Sequence, residues 1–465
     1  MMSFIRNILP LYPPPKGEIT PSSPFGGGYR GRISYLTFLL ITISLIAYYL
    51  FAYTFERTDF YALLTIYTIL FLCFWGIYRF QKNNFNTLVG IALLFRIILL
   101  VAIPNLSQDF YRFIWDGSML LNGLNPYLTT PESFIEAKHF PIQQAQELYK
   151  GMGELNGSHF TNYPPINQLS FALANIFSFN TIQGAIIAMR LQLILADIGI
   201  LWIGKKLLTQ LNLPVHLIFL YLLNPFIIIE LTGNLHYEGF MLFFLMLALY
   251  LLQTNRWKWA AVALAVSVAV KLIPLLLLPL FFQRLKWKKL LIFYSIVLGI
   301  IVLTFLPFFS MEFVSNYTQT VGLWFQNFEF NASFYYIARA IGYNISGYNQ
   351  IALIGKIIPI VVMLIVLAVT FFRKNITTKQ LITNMLLVLT CYYLLSTTVH
   401  PWYLASLVVL MPFTSLRFPL IWSFVVFLSY YTYTTPTFQE SYTFLFIQYG
   451  VVLGWLTGEG KIIRE

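Results

Sequence analysis

Residues 350–372 read QIALIGKIIPIVVMLIVLAVTFF, an apolar run interrupted by one lysine, Lys356, and closed by Arg373-Lys374. A stretch of about 20 apolar residues, wound as a helix, crosses a hydrocarbon core of about 30 Å. Its residues do not alternate apolar and polar as a membrane strand would. In lipid the backbone must satisfy its own polar groups. The stretch therefore reads as a transmembrane helix with a basic end at the cytoplasmic face.

Working outward, similar runs recur at 33–53, 60–80, 87–103, 181–204, 214–232, 239–253, 290–308, 380–397, 402–416, 418–434 and 442–457. Two half-length runs lie at 259–271 and 272–283. Composition agrees, with 58% hydrophobic and 10% charged residues, where a soluble domain carries about 25% charged residues. The expected fold class is all-α: a polytopic integral membrane protein with about thirteen (12–14) transmembrane helices.

The formal net charge of +12 invites a nucleic-acid reading, which its placement excludes. Arg79, Lys82, Lys205, Lys206, Arg256, Lys258, Arg284, Lys288, Arg373 and Arg417 fall in short connections on one side. Acidic residues collect on the other side, with only Glu18, Glu459 and Glu465 among the cations. That is the positive-inside pattern, not a nucleic-acid stripe. It puts both termini in the cytoplasm. No cleavable signal is read at the N-terminus. Cys73 and Cys391 fall inside spans and suit core packing rather than a disulfide framework or a zinc site.

The expected organisation is a cytoplasmic tail at 1–32, three helices in 33–103, an outer loop at 104–180, central helices in 181–308, a second outer loop at 309–349, C-terminal helices in 350–457 and a cytoplasmic tail at 458–465. Basic residues flank both ends of 259–283, so that segment is expected to leave and re-enter the cytoplasmic face as a re-entrant hairpin. Lys271 and Pro274 would lie near its tip. The alternative is one long span with Lys271 snorkelling.

The first outer loop opens SQDFYRFIWDGSMLLNGLNPY, residues 107–127. Ser107 can cap a short helix starting near Asp109. Asp109, Arg112 and Asp116 then share one face at i, i+3 and i+7, with Phe110, Phe113 and Ile114 on the other. One carboxylate could act as a general base, with the arginine binding an anion or tuning its pKa. An amphipathic interfacial helix with a local ion pair is the competing reading. Gly117 and Gly123 allow close approach or a turn. No paired D-x-D is present, so no metal site and no cofactor are expected.

Ionisable groups inside spans are costly and face cavities or partners. Arg190 and Asp197, seven apart on one helix, can serve as structural glue, with pairing through Arg96 or Arg190. Glu230, His236 and Glu238 cluster at the outer end of one helix pair. Lys271 approaches them from the hairpin tip, and His400, Trp402 and Tyr403 open another span at the same face.

Taken in order, D-x-Y-R-x-x-W-D-G at 109–117, G-x-N-P-Y at 123–127, Tyr163-Pro164-Pro165, Asn224-Pro225, His236 with Glu238, Lys271-x-x-Pro274, the FNxS of Asn331 and Ser333, and HPWY at 400–403 resemble the polyprenol-phosphate-mannose-dependent mannosyltransferases of the GT-C superfamily of integral membrane glycosyltransferases. The agreement covers roughly residues 105–405 and leaves the first two spans as an added pair. Glu238 departs from the pattern, where Asp is the expected residue.

The resemblance implies a GT-C fold with short amphipathic helices in the first outer loop. It also implies a single-step inverting transfer of a hexose, here mannose, from polyprenyl phosphate to a lipid or glycan hydroxyl on the extracytoplasmic face. Asp109 takes the catalytic base role and Asp116 is the fallback. Lys271, His400, Arg112 and His236 are the candidates for the donor phosphate. Tyr163, Glu238, Asn331, Trp402 and Tyr403 are the candidates for substrate contact. The partners expected are that donor, the acceptor and membrane lipids, with no nucleic acid.

A bacterial inner membrane fits the Lys/Asn/Ile/Phe-rich usage. Asn-x-Ser/Thr sites such as Asn331 leave the endoplasmic reticulum open. Three other readings compete: a secondary transporter or lipid flippase, which lacks visible repeats here; a glycan ligase using a diphosphate donor; and a scaffold.

Overall fold

The computed structural model describes residues 34–460, apart from the side chains of 324–326. The expected tail at 1–32 and the last residues of the tail at 458–465 lie outside the described residues. All regular elements among them are helical, and the one strand-like pairing is an isolated bridge between Phe330 and Thr398.

Three helices come first: α1 (Tyr35–Tyr53), α2 (Phe60–Gln81) and α3 (Phe85–Ile97). Four short ones follow: α4 (Asp109–Leu121), α5 (Pro131–Glu136), α6 (Ala145–Gly157) and α7 (Pro165–Ile176). The central helices are α8 (Ile182–Gln210), the bent pair α9 (Val215–Leu222) and α10 (Pro225–Gly233), α11 (Glu238–Gln253), α12 (Trp257–Val270), α13 (Ile273–Gln283) and α14 (Trp287–Phe308). The rest are α15 (Met311–Gln326), α16 (Phe334–Ser346), α17 (Ile351–Phe372), α18 (Thr378–Leu395), α19 (Pro401–Phe413), α20 (Phe418–Val425), continued as a 3-10 helix over Val426–Thr434, and α21 (Tyr442–Gly458).

Among the described residues, α1, α2, α8, α14 and α17 are long and apolar enough to cross a membrane, and the bent pair α9–α10 makes a sixth candidate. The sequence reading expected about thirteen spans, with two half-length runs at 259–271 and 272–283. Those at 87–103, 239–253 and 402–416 are instead the short apolar helices α3, α11 and α19, while the two half-length runs form the short helices α12 and α13. The reason is local. Pro225 opens a helix that passes into a wider turn over Ile228–Gly233, and the α12 backbone turns extended at Lys271. Proline and wide turns are tolerated at depth where neighbouring protein satisfies the freed backbone groups.

Arg190 does so here. It donates to the carbonyls of Thr232 and Gly233 at 2.8 Å each, and to Leu100 O at 2.8 Å. Arg96 pairs with Asp197 at 2.7 Å, both fully enclosed, and donates to Leu222 O. Tyr221 donates its hydroxyl to Asp197 at 3.2 Å. The intramembrane charges thus tie α3, α8, α9 and α10 together, as the glue reading anticipated. Outside this core, only 17% of the most apolar window of α14 and 22% of that of α17 are buried. Val302, Leu303, Ile360 and Leu364 face outward. Water would not tolerate so broad an apolar belt; a bilayer supplies its partner.

Above this bundle, α4 to α7 pack around a satellite core. Phe113 stacks on Phe171 at 4.5 Å, and Tyr237 meets the edge of both rings. Gly117 is required there, since a Cβ would sit 2.6 Å from the Phe171 carbonyl carbon. Gly123 turns the chain with φ +72°.

Candidate active site

Asp109 is the first residue of α4. Its N–H donates to the Ser107 hydroxyl at 3.3 Å; the helix starts at Asp109 as expected, but its N-cap is Gln108 rather than Ser107. That start leaves the Asp109 carboxylate on the wall of a cavity of about 1120 Å³. Asn156, from α6, donates its side-chain amide to Asp109 Oδ1 at 3.3 Å. Burial raises the Asp109 pKa above the ordinary carboxylate value; the Asn156 hydrogen bond and the charges of Lys271 and Arg57 oppose this, while Glu238 adds to it.

Lys271, Tyr163, His400, Trp402 and Tyr403 line the same cavity. Lys271 sits at the break after α12. Its ammonium pairs with the buried Glu238 and lies 4.7 Å from the centre of the Tyr403 ring. Tyr163 is braced by edge contacts to Phe113 and Phe171, and its carbonyl accepts from the Tyr127 hydroxyl at 2.7 Å.

Trp402 is sandwiched between two imidazoles, His236 at 3.7 Å and His400 at 4.6 Å. Burial, with Lys271 nearby, pushes His400 down to about 3, and burial holds His236 well below its ordinary value. Both are therefore neutral near pH 7. Among the described residues, His400 Nδ1 is buried without a hydrogen-bond partner.

The FNxS and HPWY motifs are clipped together by backbone. Phe330 N–H donates to Thr397 O at 3.1 Å, and Val399 N–H to Phe330 O at 2.9 Å. Asn331 finishes the clip. Its amide donates to Val399 O at 3.1 Å, and its Oδ1 accepts from Gln448 at 3.0 Å. Asn331 is fully buried and off the cavity wall.

Two further expected residues lie off the wall as well. Arg112 and Asp116 form a buried pair at 2.7 Å. Arg112 also donates to Asn156 O at 2.6 Å and His159 O at 2.8 Å, and Gln168 donates to Asp116 Oδ2 at 3.0 Å. Their shared face points at the end of α6 rather than at the cavity. They hold in place the backbone of Asn156, the residue that touches Asp109. His236 and Glu238 sit one layer behind the wall, against Trp402 and Lys271 respectively.

The sequence reading missed several lining residues. Arg57, in the connection between α1 and α2, places its guanidinium 4.6 Å from the Tyr433 ring centre. Glu329 pairs with Arg339, and Glu440 accepts from the Asn331 N–H at 2.5 Å and from the Tyr336 hydroxyl. A signal existed for Arg57: a cation in an outer connection runs against the charge bias of the chain. Among the described residues no three of His, Cys, Asp or Glu converge as a metal site would require.

Residues 45–285 match the family described as alpha-(1->6)-mannopyranosyltransferase, N-terminal domain. The chain belongs to that family. The alpha-(1->6)-mannopyranosyltransferase B of Corynebacterium glutamicum is 25% identical over 183 residues, a stretch that is 36% of this chain and 28% of that protein. Among members of the mannopyranosyltransferase family, then, the matched segment here carries Asp109, Asn156, Tyr163, Lys271 and Arg57. His400, Trp402 and Tyr403 come from beyond it. The match begins inside α1 and takes in all of α2.

Proposed function

We propose that the chain is an inverting mannosyltransferase using a polyprenyl-phosphate donor. It transfers the sugar to a hydroxyl of a lipid or glycan acceptor at the extracytoplasmic face of a bacterial inner membrane. The observation that carries the reading is the partly buried Asp109 carboxylate facing a cavity that also holds Lys271 and His400. The interrupted helices complete about thirteen crossings of a GT-C bundle, with both termini cytoplasmic.

The acceptor oxygen attacks the anomeric carbon opposite the phosphate, and its proton passes to Asp109. The bond from anomeric carbon to phosphate oxygen breaks, its electron pair leaves on polyprenyl phosphate, and configuration inverts. A raised pKa suits a base that must hold this proton. Cations and oriented donors stabilise the charge growing on the phosphate, and neutral His400 supplies an N–H or an acceptor rather than a charge. Leu272, Ile273 and Val321 on the lining offer an apolar path for the isoprenoid. No divalent ion takes part in this scheme.

The intramembrane charges that favour a transporter are taken up structurally: Arg190 by backbone carbonyls, Asp197 by Arg96 and Lys271 by Glu238.

The test is Asp109→Asn in membranes supplied with polyprenyl-phosphate mannose. The expected result is a loss of glycosyl transfer of about 10²–10⁴-fold with normal expression. Full activity in that variant removes Asp109 as the base. Solute movement by the wild type without glycosidic bond formation would favour a transporter.

A further inference from the structure

A lipid-linked donor brings one negative charge into the cavity, and its departure as a phosphate monoester adds more. A compensating cation must be free to meet it. Lys271 is already neutralised by Glu238, and Arg339 by Glu329. Arg112 is spent on Asp116, off the wall. His400 and His236 carry no charge near pH 7.

Arg57 differs from all of these. It lines the cavity, and among the described residues no carboxylate pairs with it. Its guanidinium lies over the Tyr433 ring at 4.6 Å. The ring contact supplies no anionic partner, so the guanidinium fork remains available for a bidentate contact to phosphate. Arg57 and Asp109 line the same cavity, so a phosphate held by Arg57 shares that cavity with the proposed base.

We infer that Arg57, carried on the α1–α2 connection, is the residue that binds the phosphate of the lipid donor and of the polyprenyl-phosphate product. The inference rests on the lipid-phosphate donor reading above. It gives the first two helices a function: they deliver the uncompensated cation of the site. Lys271, already paired, then serves to hold Glu238 and the Tyr403 ring.

The experiment measures binding of a short-chain polyprenyl phosphate, and of the matching uncharged polyprenol, to the full chain in nanodiscs. Wild type, Arg57→Gln and Arg57→Lys are compared, with thermal midpoints recorded for each. The expected result for Arg57→Gln is polyprenyl-phosphate affinity weakened about tenfold or more, with polyprenol binding unchanged. Arg57→Lys, which keeps the charge and loses the fork, should fall between. It also answers the question if the glutamine variant folds poorly. Wild-type phosphate affinity in a folded Arg57→Gln or Arg57→Lys overturns the inference alone. Failure of the wild type to bind the lipid phosphate at all overturns the donor reading together with it.

Discussion

Asp109 can accept a proton only while ionised, so transfer should fall as pH drops through its pKa. Burial raises that pKa, and the Asn156 amide opposes the rise by stabilising the charged form. Removing the amide in Asn156→Ala should therefore push the pKa further up. The acid limb of kcat/KM should then move to higher pH, and a profile that stays put would mean another group titrates. His400 is pushed down to about 3, so His400→Gln should lower the rate without moving that limb. At this scale the sequence was informative in part. The i, i+3, i+7 spacing marked Asp109, Arg112 and Asp116 as one set. Spacing alone does not separate the residue at the helix start, which meets the cavity, from the two that turn under α6. That distinction depends on where Asn156 and Gln168 arrive, which is a tertiary fact. Arg57 left no pattern beyond one charge in a short connection.

The element that seats the proposed base is α4, and it is fixed at two points. Gly117 lets α4 lie directly on the backbone of α7, and Gly117→Ala would drive a methyl into the Phe171 carbonyl. An overpacked contact of this kind costs about 1–3 kcal/mol. The variant should show a lower thermal midpoint in detergent and reduced turnover. A Gly117→Ala protein as stable as the wild type would mean that α4 and α7 do not meet as described. The second point is the Arg112–Asp116 pair, whose hold on the Asn156 and His159 carbonyls explains its burial. Among the helices, the break at Lys271 was legible because basic residues flank 259–283 on both sides. The bend between α9 and α10 was not, although Asn224-Pro225 stood in plain view. The wide turn after it survives because Arg190, from another helix, takes up the Thr232 and Gly233 carbonyls, and no local pattern announces that.

For the whole molecule, everything turns on which side of the membrane the cavity faces. On the positive-inside rule we propose that the connections carrying Lys288 and Lys374 lie in the cytoplasm, with α4 to α7 and Asp109 on the opposite face. A cysteine scan reads this directly. The native thiols are poor targets, with Cys73 buried and Cys391 half-buried, and both can be replaced to clear the background. Glu136 lies exposed on the layer that carries α4, and Lys288 lies exposed at the start of α14. In intact cells a membrane-impermeant maleimide should label Glu136→Cys and leave Lys288→Cys untouched until the membrane is permeabilised. The reverse pattern would put Asp109 and Arg57 in the cytoplasm. The donor would then be drawn from the inner leaflet, and the positive-inside rule would have failed for this chain. The expected pattern would leave the cavity open to a lipid-linked sugar presented on the outer leaflet, where no soluble nucleotide sugar competes.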